Sequence, residues 1–302
     1  MKKILFLVDK IDPKKEALVA GLQGYLGAKA PIHLARFTEV TVKVSGDEIE
    51  IKIEGKDIRE FSLVYFRRAG NDYFTLAATL GICLQSLKVP FFDHAFVKIG
   101  PAGNKLTSLV RLALAELPMI PLFFCWRTKI LANADLIISQ FGLPLIAKEI
   151  NSHRGKGIFL IKGKADFDRV LATDPQSQFL FQKFLTTKKE YRLLVLGEKV
   201  AVWERKIPTA PGEFRSNVAL GAREEFLAIK DLPAPMAAIA VAAAKALDYQ
   251  IAGVDILVDQ QEKLWLLEAN RGPGLTYDDP ASPEVKELAA FFARQLAINH
   301  EI

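Results

Sequence analysis

One stretch near the end of the chain, Ala252–Leu275, restricts the fold and the chemistry more than any other. Two apolar runs, IAGVDILV and KLWLLEA, flank the polar residues 259–262, a pattern that predicts a β-hairpin. With an even number of loop residues, as in the common two- and four-residue hairpins, Asp255 shares a sheet face with Glu268. Asn270 lies there too, because side chains repeat every second residue along a strand. Two carboxylates and an amide on one face predict a Mg²⁺ site with phosphates completing its shell; the alternative is a polar face turned to solvent.

Length and composition place the chain among globular proteins of two or three small domains. It has 302 residues, of which 50% are hydrophobic and 25% are charged, so sizeable apolar cores are expected. The net charge of +5 favours an anionic ligand or an acidic substrate. No dense run of Lys and Arg is interleaved with aromatic residues, and no nucleic-acid partner is therefore predicted.

Cysteine usage and the N-terminal pattern favour a cytoplasmic protein. Cys83 and Cys125 lack CxxC spacing, which is typical of reduced, buried thiols. The four histidines are scattered, so no zinc site is predicted. The apolar run Ile4–Val8 is too short for a signal peptide, and charged residues follow it at once. No apolar run is long enough to cross a membrane, and we expect no membrane contact.

Strands and helices alternate along residues 1–97, which predicts an α/β unit with a partly parallel sheet. Within this unit, the apolar run Leu63–Phe66 reads as a buried strand that leads into Arg67 and Arg68. The carboxyl ends of strands in α/β sheets commonly bind ligands. We therefore expect Arg67 or Arg68 to bind a substrate carboxylate, although an ordinary charged strand end would have the same sequence.

A second informative region covers residues 143–162. Leu145–Lys148 and Ile158–Ile161 read as strands, and the loop between them is rich in glycine and positive charge. Gly155 and Gly157 allow the backbone to turn sharply and bring N–H groups close to an anion. The loop therefore predicts a segment that covers phosphates, with an ordinary hairpin turn as the alternative.

Several motifs follow one another in the second part of the chain. A lysine on a strand precedes RGKG, and then come QKFL, EYRLLVLGEKVAVWERK, EFRSNVALG, AGVDIL and LLEANRGPGL. This order resembles the ATP-grasp superfamily, most closely its RimK-like ligases, over roughly residues 100–297. The resemblance implies a chain with α/β and α+β parts. A Rossmann-like pre-ATP-grasp domain (1–97) would precede an ATP-grasp fold with a linker helix and lid subdomain (98–184) and a catalytic core subdomain (185–302).

The resemblance also implies an activity, that of an ATP- and Mg²⁺-dependent carboxylate–amine ligase, with Mn²⁺ as an alternative cation. ATP would phosphorylate a substrate carboxylate to an acylphosphate, and an amine would displace the phosphate to form an amide. Amino acids, peptides or proteins would supply the two substrates, and the chain would form dimers or tetramers. Phosphoryl transfer depends mainly on positioning and charge neutralisation, which fits the cations and the oxygen site of this sequence.

Individual residues receive roles from the same resemblance. The metal ligands would be Asp255, Glu268 and Asn270, and the catalytic contacts to the reacting phosphates would be Arg205, Arg215 and Asn217. Guanidinium groups suit bidentate phosphate binding. The nucleotide contacts would be Lys105, Lys148, the loop residues Ser152, Arg154, Gly155, Lys156 and Gly157, the linker residues Gln182, Lys183, Phe184 and Leu185, and Glu190, which stands where relatives often carry Asp. A surface position is the alternative for each isolated lysine and arginine.

Three functions stay open at this point. The first is the carboxylate–amine ligase, and the second is an ATP-grasp enzyme with a hydroxyl or thiol acceptor. The latter includes the macrocyclase type that acts on ribosomal peptides. The N-terminal domains of such enzymes contain a segment that the YFRRAGND motif resembles. The third is a non-catalytic ATP-binding regulator, which the complete set of expected metal ligands and arginines argues against. The sequence names neither the carboxylate nor the amine.

Overall fold

The computed structural model describes residues 2–45, 48–69, 72–99, 104–152, 157–208, 223–276, 279 and 282–298. Within these ranges the strands are β1 (Ile4–Val8), β2 (Ile32–Arg36), β3 (Val40–Ser45), β4 (Glu48–Ile53), β5 (Lys56–Asp57), β6 (Leu63–Arg68), β7 (Phe91–Phe92), β8 (Leu122–Phe124), β9 (Leu145–Glu149), β10 (Ile158–Ile161), β11 (Phe179–Lys183), β12 (Thr187–Leu196), β13 (Lys199–Ile207), β14 (Arg223–Leu227), β15 (Ile251–Asp259) and β16 (Leu264–Arg271). The α-helices are α1 (Pro13–Leu26), α2 (Phe74–Ser86), α3 (Ala95–Ile99), α4 (Lys105–Leu114), α5 (Ile130–Phe141), α6 (Asp166–Leu171), α7 (Ala234–Leu247) and α8 (Glu284–Ile298).

The first sheet is parallel, as the alternation of strands and helices predicts, with strand order β2-β1-β6-β7. Strand β1, in the interior of this sheet, is covered on both faces, and all of its residues, ILFLV, are therefore apolar. Leu5 and Leu7 belong to the core that α2 and β4 cover, whereas Ile4 and Phe6 belong to the core formed with α1 and α8. A small antiparallel sheet, β3-β4-β5, adjoins the first of these cores.

The last helix, α8, returns from the C-terminal part of the chain to the first sheet. The ring of Phe292 meets Phe6 edge-on, with ring centroids 5.6 Å apart, and also lies 5.6 Å from Tyr65. Leu194 and Ile251, on β12 and β15, belong to the same apolar cluster. One core therefore joins the first sheet to the strands that carry the charged residues described below. The domain limits at residues 97 and 184 stay predictions.

Two antiparallel sheets form the rest of the described chain. The second sheet has the order β10-β9-β11-β8 and packs against α5 and α6. The third sheet has the order β14-β13-β12-β15-β16, and one of its faces packs against α4 and α7. In the part of the chain that the structure describes, no helix combines the length and the apolar character needed to cross a membrane.

The hairpin β15–β16 has the predicted strands, but its geometry differs from the expected one. Val258 pairs with Leu264, and the amide of Asp259 donates to the carbonyl of Lys263 at 3.1 Å, so the loop holds an odd number of residues. An odd loop alone would put Glu268 on the other face. A β-bulge between the pairs Ile256–Leu266 and Asp255–Glu268 restores the shared face. The predicted placement is confirmed, whereas its stated reason, an even loop, is wrong.

Candidate functional site

A cleft lies between the second and third sheets, and nine of the fifteen predicted site residues that the structure describes line it. Those that do are Lys105, Lys148, Gln182, Lys183, Phe184, Leu185, Glu190, Asp255 and Glu268. Apolar walls come from Ile146 and Ile158 of the second sheet and Leu257 of the third. An apolar cleft with a few convergent charged groups is the usual form of a small-molecule site.

A row of charged side chains crosses the third sheet at the floor of this cleft. Strand register places Glu204, Arg192, Asp255 and Glu268 directly opposite one another on β13, β12, β15 and β16. Arg192 donates to both carboxylate oxygens of Asp255, from Nε at 2.9 Å and from Nη2 at 3.0 Å. Such a bidentate pair holds the carboxylate in one orientation.

A buried lysine completes the environment of Asp255. Lys206 donates from Nζ to Asp255 at 2.9 Å and to Glu190 at 3.1 Å. Burial by itself would raise the pKa of Asp255, but Arg192 and Lys206 outweigh it and hold that pKa at about 2. Asp255 therefore stays ionised at any neutral pH.

Arg192 and Lys206 are not among the residues that the sequence predicts. Their signal is present all the same, because charged residues recur at every second position in two apolar strands, at Glu190 and Arg192 and at Glu204 and Lys206. Period-two spacing puts such residues on one face. The same periodicity separates Arg205 from them.

Arg205 does not line the cleft. It pairs with Tyr191, whose ring belongs to the apolar core on the opposite face of the sheet. Its side chain is 42% exposed, and Nη1 lies 3.7 Å from Glu225. Lys206, the next residue along β13, supplies the cation that faces Asp255 instead. The expected contact of Arg205 with a phosphate has no geometric support among the described residues.

Two lysines face the row from the other side of the cleft. Lys148 lies on β9, opposite Ile158 of β10, and has no ion-pair partner among the described residues. Burial lowers its pKa, and the carboxylates of Glu268, Glu190 and Asp255 partly offset that effect. An unpaired cation held near three carboxylates in a cleft is poised to accept an anionic ligand.

Lys105 occupies the first position of α4, which Asn104 sets by accepting a hydrogen bond from the amide of Thr107 at 3.0 Å. Its ammonium donates to the carbonyl oxygen of Ser152, a neutral partner. Burial lowers the pKa of Lys105, while Glu268 acts in the opposite direction. The capping of α4 thus brings a second incompletely neutralised cation to the cleft.

The glycine loop is described at its two ends only. Arg154, Gly155 and Lys156 lie outside the described residues. Gly157 has a φ of +67°, and a Cβ there would come within 2.4 Å of Glu149 Oε2. The carbonyl of Gly157 accepts the amide of Glu149 at 2.8 Å, which closes the hairpin. Only glycine fits this position, so the turn depends on it.

The linker strand β11 presents a buried amide to the cleft. Gln182 is 2% exposed and donates from Nε2 to the carbonyl of Ile120 at 3.2 Å. Its Oε1 has no hydrogen-bond partner within the described ranges. A buried acceptor without a donor is rare in folded proteins, and a ligand with an N–H group would satisfy it.

Glu268 and Asn270 provide the remaining oxygen atoms expected of a metal site. The amide nitrogen of Asn270 donates to Glu268 Oε1 at 2.8 Å. The described residues contain no group of three or more His, Cys, Asp or Glu side chains arranged to hold a metal ion. The donor set, two carboxylates and one amide, still fits a hard cation, which would require rotation of the Asn270 amide to present its oxygen.

Both N-terminal arginines reach the turn that follows Asn270. Arg67 is 6% exposed and donates from Nη2 to the carbonyl of Pro273 at 2.7 Å. A Cβ on Gly272, where φ is +55°, would lie 2.6 Å from the carbonyl oxygen of Arg67. A Cβ on Gly274 would lie 3.9 Å from Arg68 Nη2. The first sheet therefore contacts the segment next to the predicted metal ligands. Arg215 and Asn217 lie outside the described residues.

A sequence profile of the RimK-like ATP-grasp domain matches residues 102–282. The chain belongs to this family. Among curated proteins it is 35% identical over 155 residues to a probable alpha-L-glutamate ligase of Sodalis glossinidius, covering 50% of each chain. A protein of the same name from Legionella pneumophila is 31% identical over 184 residues, covering 59% of this chain and 58% of that one. The chain thus spans about half the length of the curated relatives it matches.

Solved structures confirm the ATP-grasp fold over nearly the whole chain. The ATP-grasp ligase PsnB complexed with a minimal precursor superposes with a TM-score of 0.74 at 18% identity, covering 97% of this chain and 99% of that chain. The D-alanyl-alanine synthetase A of Vibrio cholerae superposes with a TM-score of 0.71 at 15% identity, covering 99% and 98%. At these identities the likeness concerns the fold alone.

Proposed function

We propose that this protein is an ATP- and Mg²⁺-dependent ligase that joins a carboxylate to an amine through an acylphosphate. The observation that carries the proposal is the cleft between two antiparallel sheets, where Lys105 and Lys148 face Asp255 and Glu268. Opposed unpaired cations and carboxylates suit a nucleotide phosphate chain together with a cation. Membership of the RimK-like ATP-grasp family supports the same chemistry.

The nucleotide would lie along the cleft with its base against β11. The unpartnered Oε1 of Gln182 would accept a hydrogen bond from the 6-amino group of adenine, and the segment Lys183–Leu185 would contact the base edge. Lys105 and Lys148 would bind the phosphates, because phosphate oxygens offset the buried positive charges. Glu190, held by Lys206, also lines the cleft and would lie beside the nucleotide.

Asp255, Glu268 and Asn270 would hold Mg²⁺, which neutralises charge on the transferred phosphoryl group when it is bound. The related ligase PsnB has been solved with Mg and ADP. Arg192 and Lys206 keep Asp255 ionised and fixed in orientation, so their role is to position a ligand. Arg215 and Asn217 remain candidates for contacts to the reacting phosphates.

The carboxylate would come from an amino acid, a peptide or a protein, and would reach the site beside the Gly272–Gly274 turn. Arg67 and Arg68 lie there, and the sequence predicts that one of them binds a substrate carboxylate. Relatives named glutamate ligases, and PsnB complexed with a precursor peptide, suggest free glutamate and acidic peptides as the first compounds to test.

The test is ADP release from ATP and Mg²⁺ with a panel of carboxylates and amines that includes L-glutamate and acidic peptides, followed by mass spectrometry of the products. We expect one pair to stimulate ADP release and to give a product smaller than the sum of its substrates by one water. Glu268→Gln should remove at least 99% of this activity, whereas Glu198→Gln, an exposed change in the β12–β13 turn, should not.

Two results would replace the proposal. ATP-dependent stabilisation without ADP release for any pair would favour a non-catalytic ATP-binding protein. An ester or thioester product would favour the hydroxyl or thiol acceptor.

A further inference from the structure

A cluster of buried charged side chains lies beside the cleft and is not used by the nucleotide or metal contacts above. It consists of Glu204 on β13, Glu284 at the first position of α8 and Arg67 at the end of β6, which are 2%, 2% and 6% exposed. Glu284 lies close enough to both Glu204 and Arg67 for electrostatic interaction with each. Glu284 raises the pKa of Glu204, and Arg67 lowers that of Glu284.

Two members of this cluster have polar atoms without a partner in the described part of the chain. Glu204 Oε1 accepts no hydrogen bond, and Arg192 Nε, at 4.0 Å, already donates to Asp255. Arg67 uses Nη2 for the carbonyl of Pro273, while its Nε and Nη1 have no acceptor. Buried polar atoms without partners call for an explanation, because nearly all such atoms in folded proteins are paired.

The two groups with unpartnered atoms are a carboxyl and a guanidinium, and no hydrogen bond joins them. A ligand with an ammonium group and a carboxylate would satisfy both. The loop beside the cluster is fixed to it, since the amide of Thr276 donates to Glu284 Oε2 at 2.6 Å and its hydroxyl to Glu224. This loop follows directly on the turn after the predicted metal ligands, so the cluster adjoins the place where the acylphosphate would form.

We propose that the Glu204–Glu284–Arg67 cluster binds the amine substrate, an amino acid, and that Glu204 is the base that deprotonates it. The proposal rests on the function proposed above. Glu204 and Glu284 bind the ammonium group, and Arg67 binds the carboxylate of the same amino acid.

Glu204 takes one proton from the ammonium group, and the nitrogen lone pair attacks the carbonyl carbon of the acylphosphate. The new C–N bond forms, and the bond breaks between the carbonyl carbon and the oxygen that links it to phosphorus. The leaving phosphate takes the second proton from nitrogen and departs as HPO₄²⁻, and Glu204 releases its proton to water.

The surroundings of Glu204 suit this exchange. Burial raises its pKa to about 8 and that of Glu284 to about 7. The charged groups that face Glu204 are Arg192 on β12, Lys206 on its own strand, Glu224 on β14 and Glu284 on α8. An ammonium group beside Glu204 favours the carboxylate form, so base and amine compete for one proton at neutral pH.

Hydroxylamine provides the test, because it is largely unprotonated at neutral pH and attacks an acylphosphate without a base. The assay uses the full chain, ATP, Mg²⁺ and the most active pair from the panel, and measures the amide product beside the hydroxamate. Glu204→Gln should lower kcat for the amide about 100-fold and change hydroxamate formation less than threefold. Glu284→Gln should raise KM for the amino acid and leave hydroxamate formation unchanged. The matched control is Glu225→Gln, on the exposed face of β14.

The outcomes separate the two proposals. No ADP release from the wild-type protein with either nucleophile overturns the proposed function itself. Equal losses of amide and hydroxamate in Glu204→Gln, or no loss of either, overturn the role of Glu204 while the ligase function stands. Should Glu204→Gln fail to fold, Glu204→Asp replaces it. Its shortened side chain should lower amide formation relative to hydroxamate, and equal losses would again overturn the role.

Discussion

At the scale of single residues, the site combines carboxyl groups whose pKa values are shifted in opposite directions. Asp255 is held at a pKa of about 2 despite its burial, because Arg192 and Lys206 bind it directly. Burial raises the pKa of Glu204 to about 8, and the two cations that face it, Arg192 and Lys206, both donate to Asp255. Groups with such divergent pKa values in one cleft are typical of acid–base and phosphate chemistry.

These shifts predict how stability depends on pH. A carboxyl whose pKa is raised in the folded state stabilises the fold below its unfolded pKa, and this contribution is lost as the pH rises towards the folded pKa. Asp93, Glu204 and Glu284, with folded pKa values of about 7, 8 and 7, should all act in this way. The free energy of unfolding should therefore fall between pH 5 and pH 7.

Replacement of one group should weaken this dependence. Between pH 5 and pH 7 the free energy of unfolding of Glu204→Gln should fall less steeply with pH than that of the wild type. The difference in slope should be on the order of 1 kcal/mol per pH unit. Urea unfolding at several pH values measures the slope, with Glu225→Gln as the exposed control. An unchanged slope would show that Glu204 is ionised in the folded protein at neutral pH.

Gln182 leads to a prediction about the choice of nucleotide. Its unpartnered Oε1 would accept from the 6-amino group of adenine, which inosine lacks. The wild-type protein should therefore prefer ATP to ITP, and Gln182→Met should reduce that preference by about tenfold, the value of one hydrogen bond. The ratio of kcat/KM values for the two nucleotides measures the effect. A preference that survives the substitution would assign base recognition to the backbone of the linker strand.

At the scale of secondary-structure elements, the sequence predicts most of the strands and helices because their periodicity is local. The predicted strands Leu145–Lys148 and Ile158–Ile161 appear within a residue of their expected limits. The β-bulge beside Leu267 is different, since it arises from an odd loop that must be reconciled with the burial of Ile256 and Leu266. Single-sequence patterns contain no signal for that compromise.

Sheet faces explain which site residues could be predicted and which could not. The resemblance to the family implies a phosphate contact for Arg205, because motif matching alone does not show which neighbouring residue faces the cleft. Strand register does, and it turns Lys206 to the cleft and Arg205 to the other face. Arg192 is positioned by its pairing with Asp255, which lies 63 residues away in sequence. No local sequence pattern reveals such a pairing.

The hairpin β9–β10 supports a prediction about its terminal glycine. Gly157→Ala combines the cost of a positive φ with a clash against Glu149, and should destabilise the hairpin by about 2 kcal/mol or more. The matched control is Gly142→Ala, where φ is +72° and nothing lies within 4 Å of the added atom. We expect KM for ATP to rise at least fivefold in the first variant only. Equal KM values would mean that the loop geometry does not affect ATP binding.

At the scale of the whole molecule, the first sheet is fixed to the hairpin β15–β16 of the third sheet at two points. Asp93, at the end of β7, accepts the amides of Gln250 and Ile251 at 2.8 Å and 3.0 Å, where β15 begins. Arg67, at the end of β6, meets the turn that follows β16. The two ends of the hairpin β15–β16 are therefore both held by the N-terminal part of the chain. Under the proposed function, this contact would position substrate groups bound to that part accurately relative to the nucleotide.

The second of these contacts can be tested without touching a charged group. In Gly272→Ala the new Cβ would lie 2.6 Å from the backbone carbonyl oxygen of Arg67, so the turn and the first sheet must move apart. Gly55→Ala is the matched control, because Gly55 also has a positive φ, +80°, but no atom lies within 4 Å of the added group. Thermal unfolding should show a lower Tm for both variants, with the larger decrease in Gly272→Ala.

The kinetic effect should be specific to the carboxylate and amine. Because the nucleotide cleft is built from the second and third sheets, Gly272→Ala should leave KM for ATP within about twofold of the wild type. It should lower kcat/KM for the substrates of ligation by at least tenfold, since displacement by about 1 Å is enough to misalign reacting groups. A rise in KM for ATP of the same size would instead place the effect of this contact on the nucleotide cleft. In that case the first sheet would support the fold of the site as a whole and would not position the substrates.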